Sequence, residues 1–179
     1  MTYLKTPDDS PIYPEVTAER RFVPNYARIW ALVPEAYAGW LTLGGAIRAG
    51  MDERRYELVT LVAARRLGSC YCAAAHASVL RDRFFDDETL RLIATDRHHA
   101  GLEPADIAAM DFAERIAADP HDVIDADIVA LRGRGLSDAD ILQVVLAVIA
   151  RRFFAGVAAA TGAVTDPEYD VFDDAVVAA

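Results

Sequence analysis

Apolar residues recur along this chain at helical rather than strand spacing. Leu58, Leu61 and Val62 form one such set, and Cys72, His76, Val79 and Leu80 form the next. Polar and glycine punctuation falls where helix ends need it. Asn25 is placed to cap a short helix through Leu32, and Pro34 to open one that runs to about Ala49 and closes at Gly50. Asp52 caps the next, which Gly68 stops, and Ser69 is then the natural N-cap of the helix carrying Tyr71, Cys72 and His76. Further helices are expected over 87–96, 103–118 and 125–132, and from Ser137 to about Thr161, where Ser137 and Asp140 stand at capping-box spacing. Gly133, Gly135 and Gly162 mark ends. The two most strand-like windows, Leu58 to Val62 and Val144 to Val148, lie inside longer Ala- and Leu-rich stretches whose length favours helix. The pattern predicts an all-α chain.

Outside the helical region the character changes. Pro7, Pro11 and Pro14 among Asp and Ser predict an extended N-terminal arm over 1–15, ahead of a helical domain over 16–165. From Asp166 an acidic tail begins that still carries Tyr169, Val171 and Phe172, so it reads either as a frayed end or as a strap across a neighbouring subunit. A length of 179 residues, 54% of them hydrophobic, suits one globular domain. A net charge of −10 argues against nucleic-acid partners, because phosphate would be repelled. The start of the chain lacks the basic and apolar stretches of a signal peptide, and a lone pair of neighbouring cysteines fits a reducing compartment, so a cytoplasmic location is expected. Gln143, Arg151 and Arg152 interrupt the longest apolar run, so no membrane span is expected either.

The informative stretch is ELVTLVAARRLGSCYCAAAH, Glu57 to His76. With about 100° per residue, a helix starting at Ser69 brings Ser69, Cys72 and His76 within about 60° of one another, while Cys70 lies about 200° from Cys72. A Cys70–Cys72 disulfide would therefore require a distorted first turn. Cys72 sits near unpaired N–H groups and the positive end of the helix dipole, with an imidazole one turn on, an arrangement expected to favour a nucleophilic thiolate. Ser69 is either a hydrogen-bond donor to that sulfur or simply the N-cap. Were the two helices continuous, Glu57 would lie about 22 Å from Cys72; broken at Gly68 and folded into a hairpin, they let Glu57 reach His76 and orient its ring. The alternative for Glu57 is a solvated charge beside Arg54 or Arg55. A metal site is not expected, since the sulfurs diverge and a fourth ligand is lacking.

These residues give the stretch its resemblance to the active-site segment of the alkylhydroperoxidase D and carboxymuconolactone decarboxylase superfamily, peroxidase-related branch. That pattern is a Glu, eleven residues, then Cys-x-x-Cys-x-x-x-His; here Glu57, Gly68, Tyr71, Cys72 and His76 match it, and Ser69 replaces the first Cys. The resemblance implies an all-helical subunit in a trimer or hexamer, with the site near a subunit interface; in the sequence's own terms, Trp30, Trp40, Phe153 and Phe154 are either ordinary core or apolar surface to share. It implies that Cys72, aided by His76 and Glu57, attacks a hydroperoxide, and that a thiol or lipoyl-type dithiol supplies the electrons, with no cofactor. Because Ser69 cannot resolve a sulfenic acid, three routes follow: an outside thiol reduces it, Cys70 forms a strained bond with Cys72, or turnover is lost. The alternatives are a carboxymuconolactone decarboxylase-like lyase and a non-catalytic redox-sensing oligomer.

Overall fold

The computed structural model describes residues 2–169 and 171–178; Met1, Asp170 and Ala179, at the start of the arm and within the tail, lie outside the described residues. The helices run α1 (Tyr13–Arg20), α2 (Asn25–Trp30), α3 (Pro34–Ala49), α4 (Glu53–Arg66), α5 (Cys70–Arg83), α6 (Asp87–Asp96), α7 (Pro104–Ala118), α8 (Asp125–Gly133), α9 (Asp138–Ala160) and α10 (Asp174–Val177), with no strand among the described residues. The all-α expectation stands.

α4 is the axis. Every residue from Tyr56 to Ala64 is buried, because α5, α7 and α9 all pack on this helix. A helix enclosed by neighbours carries apolar residues around its whole circumference. That is why Leu58 to Val62 reads as strand-like in sequence. Asp106, only 1% exposed, ties α4 to α7 by accepting from Arg54 at 2.6 Å and Arg55 at 2.7 Å. The two arginines nearest Glu57 in sequence are thus engaged elsewhere.

Most caps fall on the expected residues. Asp52 accepts the Arg55 N–H at 2.9 Å, and the Ser137–Asp140 box is closed in both directions. Asn25 is a correction: the N-cap of α2 is Pro24, which has no side-chain acceptor, and the Asn25 N–H instead donates to Asp166 at 2.9 Å, across the chain. The arm is a second correction. Regular helix begins at Tyr13, inside the span expected to be extended, because Pro14 occupies a first-turn position where its ring pre-sets φ and its missing N–H costs nothing.

Among the described residues, the tail packs against its own chain rather than fraying. α10 packs on α5 and α6, Val176 and Tyr169 are buried, and the Arg65 Nε donates to the Ala178 carbonyl at 2.9 Å. α9 corrects the membrane argument in one respect, since by length and hydropathy it is sufficient to cross a bilayer. Its buried face, however, packs on α4 and α7 of the same chain, as the core helix of a bundle does.

Candidate active site

Gly68 adopts φ +68°, a left-handed conformation that ends α4 and reverses the chain into α5. The resulting hairpin brings residues separated in sequence onto one cavity. Ser69 Oγ accepts the Cys72 backbone N–H at 3.4 Å, so Ser69 serves as the N-cap. Among the described residues its hydroxyl makes no hydrogen bond to sulfur. Cys70 and Cys72 are both free thiols on opposite sides of the first turn, Cys70 exposed and Cys72 only 3% exposed.

The hairpin delivers Glu57 to His76. Glu57 Oε2 lies 2.5 Å from His76 Nδ1, and both side chains are buried. Burial disfavours the imidazolium, the positive charge of Arg151 adds to that, and the attraction of Glu57 offsets only part of it, so His76 is pushed down to about 4. Burial alone would raise Glu57, but His76, Arg48 and Arg151 outweigh it and hold the carboxyl below its ordinary range. A neutral imidazole beside an ionised carboxylate donates its Nδ1–H to it, which leaves Nε2 as a proton acceptor. Tyr56 meets the His76 ring edge-to-face at a centroid distance of 6.1 Å and limits its orientation.

Cys72, His76 and Glu57 share the walls of a cavity of about 430 Å³, whose rim reaches the exposed Gly45 and Arg48. The buried sulfur is therefore reached through that cavity. No direct hydrogen bond joins Cys72 to His76 among the described residues; the two meet at the cavity, one turn apart on α5. Tyr71 also lines it, but the Tyr71 hydroxyl is turned to the tail, donating to Asp166 and accepting from the Tyr26 N–H at 3.3 Å. Burial and the neighbouring carboxylate both push the Tyr71 phenol up, so it stays protonated as a donor. Its role is to pin the tail to α5.

The residue that sequence reasoning missed is Arg151. It comes from α9, is 7% exposed, and stands beside Cys72 and Tyr56, whose attraction outweighs burial and keeps the guanidinium charged. A signal was available. That signal is partial: Arg151 and Arg152 interrupt an otherwise apolar helix and point about 100° apart, so the two need not share one environment, but nothing in the sequence says which is buried or what it faces. Arg152 donates to the Ala117 carbonyl at 2.7 Å. Trp40 and Phe154 are also wall residues, their rings tilted against each other at 5.1 Å, while Phe153 is largely exposed. His98 and His99 are not among the residues that line the cavity; they pair with Asp111 and Asp96 on an exposed turn.

Residues 34–115, which include the whole Glu57 to His76 stretch, match the family model described as the carboxymuconolactone decarboxylase family. Among solved structures, the chain is similar to an uncharacterized peroxidase-related protein with an alkylhydroperoxidase AhpD core from Ralstonia eutropha JMP134, with a TM-score of 0.83 and 22% identity over 94% of both chains. An uncharacterized peroxidase-related protein from Silicibacter sp. TM1040 gives a TM-score of 0.82 at 22% identity over 95% of this chain and 94% of that one. The debrominase Bmp8, in complex with 2,3,4-tribromopyrrole, gives a TM-score of 0.76 at 16% identity over 94% and 92%. A search of curated proteins finds no match. The chain therefore shares its fold along nearly its full length with these peroxidase-related structures, and its central segment, residues 34–115, matches the carboxymuconolactone decarboxylase family model.

Proposed function

We propose that this protein is a thiol-dependent peroxidase in which Cys72 is the nucleophile. The observation that carries the reading is the 2.5 Å contact between Glu57 and His76 on the cavity that Cys72 also lines. His76 Nε2 accepts the thiol proton, and Glu57 stabilises the imidazolium that forms. The sulfur attacks one peroxide oxygen, the O–O bond breaks, and the imidazolium returns its proton to the departing alkoxide. The products are the Cys72 sulfenic acid and an alcohol. Two equivalents of an outside thiol, or one dithiol of lipoyl type, then reduce the sulfenic acid to the thiol with release of water and a disulfide. The placement of Cys70 and Cys72 on opposite sides of the helix supports this external route over an internal bond, and two free thiols suit a reducing compartment such as the cytoplasm.

The same reading includes self-association. Leu142, Leu146, Ile149 and Phe153 form an exposed apolar stripe at helical spacing on α9, and Leu41 and Leu43 extend exposed apolar surface onto the neighbouring α3. A second copy of the chain is the proposed cover.

A coupled assay with cumene hydroperoxide and a dithiol should show consumption that Cys72→Ser reduces by about a thousandfold or more, in line with removal of a covalent nucleophile. Absence of turnover with any thiol donor would overturn the reading. Activity on an organic substrate that is indifferent to Cys72→Ala would point instead to a lyase using Glu57 and His76.

A further inference from the structure

We infer that the cavity is built to bind a flat organic anion, an aromatic or conjugated carboxylate, with the charged end at Arg151 and the planar body against the wall formed by Trp40, Phe154 and Tyr26. The inference deepens the substrate reading of this cavity and rests on it for the ligand's role, while its test is a binding measurement independent of turnover.

Three observations converge. A cavity of about 430 Å³ is far larger than hydrogen peroxide needs and falls within the usual range for small-molecule sites. One wall is a cluster of aromatic rings: Tyr26 packs edge-on to Phe154 at 5.3 Å, and Phe154 lies tilted against Trp40 at 5.1 Å. Such faces select planar, unsaturated bodies.

The third observation is the unequal pairing of charges. The carboxylates on the cavity lining are taken: Glu19 pairs with Arg20 at 3.0 Å, Asp82 with Arg81 at 3.1 Å, Glu53 with Arg83, and Glu57 is engaged by His76. Arg48 and Arg151 have no ion-pair partner among the described residues. Arg48 lies over the Tyr56 ring at 5.2 Å. The Arg151 side chain is more than nine-tenths buried, and its Nε has no hydrogen-bond partner. A buried guanidinium with an unused donor is costly unless something accepts from it. Two guanidinium groups without a carboxylate partner therefore line the same cavity as Cys72, and an incoming anion could pair with them.

The test is calorimetric titration of the reduced, full-length protein with three probes: 2-naphthoate, its neutral amide 2-naphthamide, and acetate. The flat body with a charge should bind at least about tenfold more tightly than either the flat neutral probe or the small anion, a ratio worth one charge-assisted hydrogen bond. Arg151→Met, which keeps volume and removes charge, should abolish the preference for naphthoate over naphthamide. Arg48→Gln, an exposed change that spares folding, should weaken naphthoate roughly threefold and leave naphthamide unaffected. Equal binding of naphthoate and naphthamide, acetate binding as tightly as naphthoate, no binding of any probe, or an unaltered preference in both variants would each overturn the inference. Because no peroxide is present, these results stand whether or not Cys72 turns over.

Discussion

His76 is useful because it is uncharged at rest. An imidazole held at about 4 rather than at its ordinary 6.5 has its acceptor nitrogen available at neutral pH. The same shift has a signature in stability. The unfolded chain takes up the His76 proton below 6.5, whereas the folded chain resists until about 4, so this contribution is present above 6.5 and is lost as pH falls through the window between those values. The full difference is about 3 kcal/mol. Glu57, held low, also loses its contribution in acid; Asp166, raised chiefly by burial, acts in the opposite sense. The comparison is therefore between variant and wild type: in urea unfolding above and below the window, His76→Gln should show a clearly shallower loss of stability on acidification, and an unaltered slope would contradict the account. The Glu57–His76 pairing was legible in the sequence once Gly68 broke the helix. Arg151 was not, because it lies 79 residues beyond Cys72 and arginine in isolation reads as a solvated charge.

The helices place these groups through local rules that sequence shows well. Asp52, Ser69 and Ser137 cap where their spacing says they should, and Gly68 ends α4 with a positive φ. What spacing does not show is a tie between distant helices. α1 was hidden because Pro14 can open a helix as readily as it can stiffen an arm, and α2 takes an acceptor from Asp166, 141 residues away. The Asp106 clamp on Arg54 and Arg55 is of the same kind and holds α4, and with it Glu57, against α7. Asp106→Ala removes the one carboxylate that both guanidinium groups share. Because those arginines retain some contact with water, the expected loss is about 3 kcal/mol, the lower end for a broken buried pair. Chemical denaturation measures it directly, and a change below about half a kcal/mol, the scale of an ordinary surface substitution, would mean that the clamp is incidental.

Large apolar side chains stand exposed on α3 and α9, among them Leu43, Leu142 and Phe153. α3 has only Tyr37 and Ile47 buried along its length, and it borders both the cavity and the exposed stripe of α9. If a second copy covers that stripe, Leu146→Glu should shift sedimentation towards the monomer while the helical circular dichroism is kept; an unchanged mass would place the interface elsewhere. The decisive experiment is mass spectrometry of the reduced protein after one equivalent of cumene hydroperoxide with no thiol present, together with dimedone as a trap. The account predicts one trapped sulfenic acid, on Cys72, with Cys70 still a thiol. An unmodified Cys72, or a bond between Cys70 and Cys72, would contradict it.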